Sequence, residues 1–110
     1  MNNDLAPVVL FVYNRPLHTQ QTLDTLQKNV WASSTELFIY SDQAKSEDEQ
    51  ENVDKVRALL KNITGFKKIT IKNREKNFGL ANSIIDGVSK IIKEYGKVIV
   101  LEDDLITSPY

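Results

Sequence analysis

The sequence predicts an α/β domain: three layers, α/β/α, around a mostly parallel, Rossmann-like sheet. Apolar runs of strand length alternate with segments of helical period along the chain. The order reads β-α-β-α-β-α-β, which implies parallel strands joined by right-handed crossovers. Polar residues collect just after three of the four strands, and in a parallel sheet those strand ends share one edge.

The first strand is Val8-Val9-Leu10-Phe11-Val12-Tyr13, starting after Pro7 and broken by Asn14-Arg15-Pro16. Pro16 suits the first turn of a helix, where no amide partner is needed. Leu23, Leu26 and Val30 then form a helical stripe. Leu37-Phe38-Ile39-Tyr40 is the second strand, ended by Ser41-Asp42. Ser46 and Glu49 have capping-box spacing and open a second helix with the stripe Val53, Val56, Leu59, Leu60 and Ile63, for which Gly65 is a plausible stop.

Lys68-Ile69-Thr70-Ile71-Lys72 alternates as a strand with one wet face would. Asn77-Phe78-Gly79 leads into a third helix carrying Leu80, Ala81, Ile84, Ile85, Val88, Ile91, Ile92 and Tyr95 on one broad face, expected to pack hard on the sheet. Gly96 ends it. Val98-Ile99-Val100-Leu101 is the fourth strand, expected to be buried on both faces, and Glu102-Asp103-Asp104 follows directly.

Composition narrows the function classes. The 110 residues are 41% hydrophobic and 26% charged, ordinary figures for one globular domain. Net charge is −1, and no Lys/Arg cluster is interleaved with aromatics, so nucleic acid is not an expected partner. There is no cysteine, which excludes disulfides, thiolate catalysis and zinc-thiolate sites. Met1-Asn2-Asn3-Asp4 does not read as a signal peptide, and no apolar run approaches the ~20 residues of a membrane span. The expectation is a cytoplasmic protein without a transmembrane segment; Asn62-Ile63-Thr64 is then a chance match to the glycosylation tripeptide.

The chemistry gathers at the strand ends. Three carboxylates in Glu102-Asp103-Asp104 repel one another unless a cation or donors offset the repulsion, and a divalent metal with a phosphate-bearing ligand is the economical answer. Asp42 can accept from a base or ribose hydroxyl, and Arg15 can face a diphosphate. Each has a plainer reading: Asp42 as a turn former, Asn14 as a helix cap, the triplet as a solvated loop start. Arg15 opposes the dipole of the helix it precedes, which favours a ligand role. His18 reads as a surface residue, Glu47-Asp48-Glu49-Gln50-Glu51 as a solvated helix start, and Trp31 as a cover for the end of the core. In Arg74-Glu75-Lys76-Asn77-Phe78-Gly79, two cationic side chains precede a turn at a helix N-terminus, a place suited to anions.

In order and spacing these segments resemble the GT-A glycosyltransferases, especially the family-2-like nucleotide-sugar transferases. Pro7 to Pro16 looks like the opening strand and nucleotide-binding turn. Tyr40-Ser41-Asp42 is similar to the place where the family often sets an Asp on the base. Asn77-Phe78-Gly79-Leu80-Ala81-Asn82-Ser83 resembles the turn before the third helix, and Glu102-Asp103-Asp104 the acid-x-acid metal motif.

The resemblance implies strand order 3-2-1-4 and a site for a nucleoside-diphosphate sugar, a UDP-sugar above all. Asn14, Arg15, Asp42, Arg74, Asn77, Gly79 and Asp103 would lie about the donor. Asp104, supported by Glu102, would hold Mn²⁺ or Mg²⁺. It implies metal-assisted transfer of the sugar to an acceptor glycan or lipid-linked sugar, with a peripheral place at the inner membrane face open to a longer protein. In this family the acceptor site and usual base follow the metal motif. The sequence runs six residues past it, to Tyr110, so the expectation is a donor-binding half with no catalytic residue of its own.

Two other classes compete. A receiver-like phospho-acceptor domain also gathers acids at strand ends, but after its first strand, where this chain has Tyr13-Asn14-Arg15; its sheet order would be 2-1-3-4. A non-catalytic α/β module would use an exposed edge strand for pairing.

Overall fold

The computed structural model describes residues 5–103. Among the described residues four strands and three α-helices alternate: β1 Val8–Val12, α1 Pro16–Gln27, β2 Glu36–Ser41, α2 Glu47–Leu60, β3 Lys68–Asn73, α3 Leu80–Tyr95 and β4 Ile99–Glu102, with a 3-10 turn at Ala32–Ser34. All strand pairs are parallel and the order is β3-β2-β1-β4. This is the 3-2-1-4 arrangement and not the receiver's 2-1-3-4.

The pleat divides the core. Val8, Leu10 and Val12 of β1 face one way, with Leu37 and Ile39 of β2, and pack under Leu23 of α1 and Val56 and Leu60 of α2. Val9, Phe11 and Tyr40 face the other way, under Ile91 of α3 with Ile84, Val88 and Tyr95 beside it. All five residues of β1 are buried, as a central strand covered on both faces requires. Gly87 brings α3 close to the sheet: a Cβ there would come within 2.9 Å of the Tyr40 ring and 3.1 Å of Phe11.

Several local expectations are corrected. β4 is an edge strand, with Ile99 49% and Val100 41% exposed, because helices cover the middle of the sheet and leave this margin open. α3 presents a wider apolar arc than one sheet can take. Ile84, Val88, Ile91 and Tyr95 reach the core, whereas Leu80, Ile85 and Ile92 remain exposed.

α1 ends at Gln27, so Val30 lies past its stripe and is 84% exposed, and Trp31 is 62% exposed rather than covering the core. α2 stops at Leu60, well before Gly65. The capping box does not form. Ser46 is the N-cap without a side-chain bond, and the Glu49 carboxylate accepts instead from the Tyr13 hydroxyl.

Candidate functional site

In this order the chain reverses direction across β1: β2 and β3 lie on one side, β4 on the other. Open α/β sheets form a crevice at such a switch point, outside the strands' carboxyl ends. A cleft of about 400 Å³ opens there. One wall is the turn Tyr13-Asn14-Arg15 after β1, with Glu102 and Asp103 at the end of β4. The opposite wall is Asp42 and Lys45 after β2 and the start of α3, with Asn77, Gly79 and Ser83. The size is that of a small-molecule site.

The structure therefore brings Asn14, Arg15, Asp42, Asn77, Gly79, Glu102 and Asp103 to one cleft. Asp104 lies outside the described residues, and Arg74 does not line the cleft.

Asp42 is buried, 6% exposed, and its carboxylate is engaged by the protein. Oδ1 accepts from the amides of Gln43 at 2.9 Å and Phe78 at 2.8 Å. Oδ2 accepts from the Gly79 amide at 3.0 Å and from Asn77 Nδ2 at 3.4 Å. The side chain thus ties the β3–α3 turn to the end of β2 and takes amides that would otherwise be orphaned before α3. Asn77 adds a 2.8 Å bond from Nδ2 to the Gln43 carbonyl. Gly79 has φ 81° and ψ 152°, a region that side-chain-bearing residues avoid, so the turn requires glycine although open space surrounds its Cα.

Arg74 turns inward, 9% exposed. Nη1 pairs with Asp86 at 2.7 Å, Nη2 bonds the Ser83 carbonyl and hydroxyl at 3.3 and 3.2 Å, and the guanidinium lies between the Tyr40 and Phe78 rings, 4.6 and 4.0 Å from their centroids. Its Nε is buried without a partner. The Arg74 bond is the chief reason that Asp86 is held below the ordinary carboxylate range, with Lys90 adding to it. This cation clamps α3 to β3 and is not presented to a ligand.

Sequence reasoning missed two residues that build the cleft. Arg57 reaches from α2 across the carboxyl edge: Nε donates to Ser41 Oγ at 3.0 Å, and Nη2 to the carbonyls of Ser41, Asp42 and Arg74 at 3.2, 3.3 and 2.9 Å. Its signal was available, because Arg57 sits beside Val56 and one turn past Val53, on the flank of the buried stripe. Tyr13 carries no such signal beyond its place at the end of the first strand. Its hydroxyl donates to Glu49 and accepts from the Lys45 amide at 3.0 Å, joining β1 to the start of α2. Burial first, then the Glu49 bond, raises its pKa above the usual phenol value.

α1 and α3 start at the cleft, capped by Arg15 and Gly79, with neither a side-chain cap bond nor an acid in the first turn. α2 differs, carrying Glu47, Asp48 and Glu49 there. The uncompensated N-terminus of α1, with Arg15 and Lys45 nearby, gives the cleft anion-accepting groups, whereas before α3 the Phe78 and Gly79 amides are already taken by the Asp42 carboxylate. Glu102 and Asp103 supply carboxylates on the same wall as Arg15, and the Thr22 hydroxyl holds the Asp103 carbonyl at 3.1 Å.

Among the described residues no group of three or more His, Asp or Glu side chains is placed to hold a metal. Asp42 is already engaged by amide donors, so Glu102 and Asp103 alone do not make a divalent-metal site. Comparison with protein-family models, with curated proteins and with solved structures returns no match. No helix among the described residues is long and apolar enough to cross a membrane.

Proposed function

We infer that the cleft binds a nucleoside diphosphate, the donor part of a UDP-sugar, and that the domain serves a GT-A type sugar transfer. The single observation that carries this reading is the cleft at the switch point, where the α1 N-terminus and Arg15 lie beside Glu102 and Asp103 on one wall and Lys45 stands on the other. A diphosphate is complementary to that polarity. Its oxygens suit the helix amides and Arg15, and the ribose hydroxyls suit a carboxylate acceptor such as Asp103.

Asp42 takes a different part from the one its position suggests. It holds the Asn77-Phe78-Gly79 turn in place and so shapes the wall against which the nucleoside would rest. In the same reading a divalent metal belongs with Glu102 and Asp104. There it would neutralise the diphosphate. Residues 5–103 do not complete that site, and binding of the nucleotide is assigned to the chain's own groups. The sugar's acceptor, a glycan or lipid-linked sugar, has no assigned residues in this domain.

The test is calorimetric titration with UDP and GDP, each with and without Mn²⁺, joined to amide chemical-shift mapping. Saturable binding of UDP that moves the amides of Asn14, Arg15, Gly79 and Asp103 is the expected result. A folded sample that binds neither nucleotide, or binds one with shifts confined to another surface, overturns the reading.

A further inference from the structure

The opposite edge of the sheet carries a second surface, argued independently of the nucleotide reading. The turns that enter β2, β3 and β4 all lie on this amino edge. They hold six exposed lysines, Lys28, Lys61, Lys67, Lys68, Lys93 and Lys97, against two acids, Glu36 and Glu94. Glu36 is bonded by the Tyr95 hydroxyl at 2.9 Å. Lys28, Lys61 and Lys93 sit at helix C-termini, where the dipole alone favours a cation. Lys67, Lys68 and Lys97 stand at the starts of strands, where it does not.

From the same edge projects the Asn29-Val30-Trp31 turn, with Val30 84% and Trp31 62% exposed. The turn is built rather than loose. The Trp31 amide donates to Asn29 Oδ1 at 2.8 Å, the Thr35 hydroxyl to the Trp31 carbonyl at 2.7 Å, and the Ala32 amide to the Asn29 carbonyl at 3.0 Å. Beside Trp31 an apolar recess of about 280 Å³ is lined by Leu5, Phe66 and Ile99. Leu5 also borders a neighbouring recess that contains Lys67 and Lys97. A rigid apolar tip therefore projects from the same sheet edge that carries these lysines.

We propose that this edge docks on an anionic lipid surface. Val30 and Trp31 enter the interfacial zone, where an indole ring is favoured, and the lysines meet headgroup phosphates. An apolar tip or a basic edge alone gives marginal attachment; the two signals together give stable, reversible binding. Basic residues alone would suit any polyanion; the aliphatic Val30 beside the Trp31 indole adds an apolar tip that a lipid interface can take up. Docked this way, the cleft opens away from the bilayer, because the two surfaces lie at opposite ends of the strands.

Trp31 is the only tryptophan, so its fluorescence reports the contact. The protein is mixed with phosphatidylcholine vesicles, plain or containing roughly a third phosphatidylglycerol. With the anionic vesicles the emission shifts to the blue and is quenched by brominated acyl chains; with the plain ones it barely changes. In vesicle sedimentation, Trp31→Ser and the pair Lys67→Glu with Lys68→Glu each lower partitioning about tenfold. These positions are exposed, and circular dichroism checks that the variants stay folded.

Absence of the shift and of co-sedimentation overturns the proposal. So does partitioning unaffected by Trp31→Ser, or RNA binding as tight as vesicle binding and insensitive to the same change, which would mark a general polyanion surface. Concentration-dependent dimerisation without vesicles, abolished by Trp31→Ser, would assign the tip to a second copy and overturn it equally. None of these outcomes depends on whether the cleft binds a nucleotide.

Discussion

The carboxyl edge of the sheet has two halves that treat their charges differently. At the ends of β2 and β3, Asp42 and Arg74 are buried, and their charged groups are engaged by the chain itself. At the ends of β1 and β4, Arg15 and Glu102 are exposed at the cleft. Neither makes a side-chain hydrogen bond or ion pair with another described residue. The same residue types at the same kind of position thus serve as scaffold in one half and stand exposed at the cleft in the other. Position at a strand end does not decide which; the donors or charges within reach do.

The sharpest way to break that comparison is to neutralise one carboxylate in each half. Asp42→Asn keeps the shape but sets an amide donor against donors. Whichever way the new amide turns, either Gly79 or the Gln43 and Phe78 amides lose an acceptor. An unsatisfied buried donor costs on the order of 2 kcal/mol. Urea unfolding is therefore expected to show a loss of about 2–3 kcal/mol. A loss below about 0.5 kcal/mol would mean that the β3–α3 turn does not depend on Asp42.

Glu102→Gln is the counterpart, with a smaller effect of a different kind. An exposed side chain without a partner among the described residues leaves stability within about 0.5 kcal/mol. Under the donor-binding reading, UDP affinity measured with Mn²⁺ falls about tenfold, a difference of roughly 1.4 kcal/mol. If Glu102→Gln lowers stability as much as Asp42→Asn does, the two halves are not distinct. If it leaves both stability and UDP affinity unchanged, Glu102 is only a solvated strand end.

The sequence made some of this arrangement legible and hid the rest for physical reasons. Periodicity is a property of each segment, so the four strands, three helices and their parallel order could be read from Val8–Val12, Val53–Leu60 and Lys68–Asn73 one at a time. The gathering of Asn14, Asp42, Asn77 and Glu102 followed from topology, because parallel strand ends share an edge.

What could not be read were choices between partners. Glu49 has capping-box spacing, yet Tyr13, 36 residues away in the chain, claims its carboxylate. Arg74 precedes a turn suited to anions, yet Asp86 and two aromatic rings take it inward. Val98-Ile99-Val100-Leu101 has the composition of a doubly covered strand, but coverage depends on neighbours, and β4 lies at the margin. Long-range competition of this kind leaves no local pattern.

The smallest effect tests the scaffold half through Asp86. Its pKa is lowered in the folded state, chiefly by the Arg74 bond and further by Lys90, while burial works the other way. A depressed folded pKa stabilises the protein above the unfolded value of about 3.9, and that contribution is lost as pH falls through the folded pKa. Asp86 is 30% exposed, so solvent screening limits the contribution to less than about 1 kcal/mol. Asp86→Asn is therefore expected to lower stability slightly at pH about 7 and to flatten the stability profile below pH about 4. Urea unfolding at a series of pH values checks both expectations. Equal acid sensitivity in the two proteins would mean that Arg74 is not held by this pair, and its guanidinium would then be available to the cleft after all.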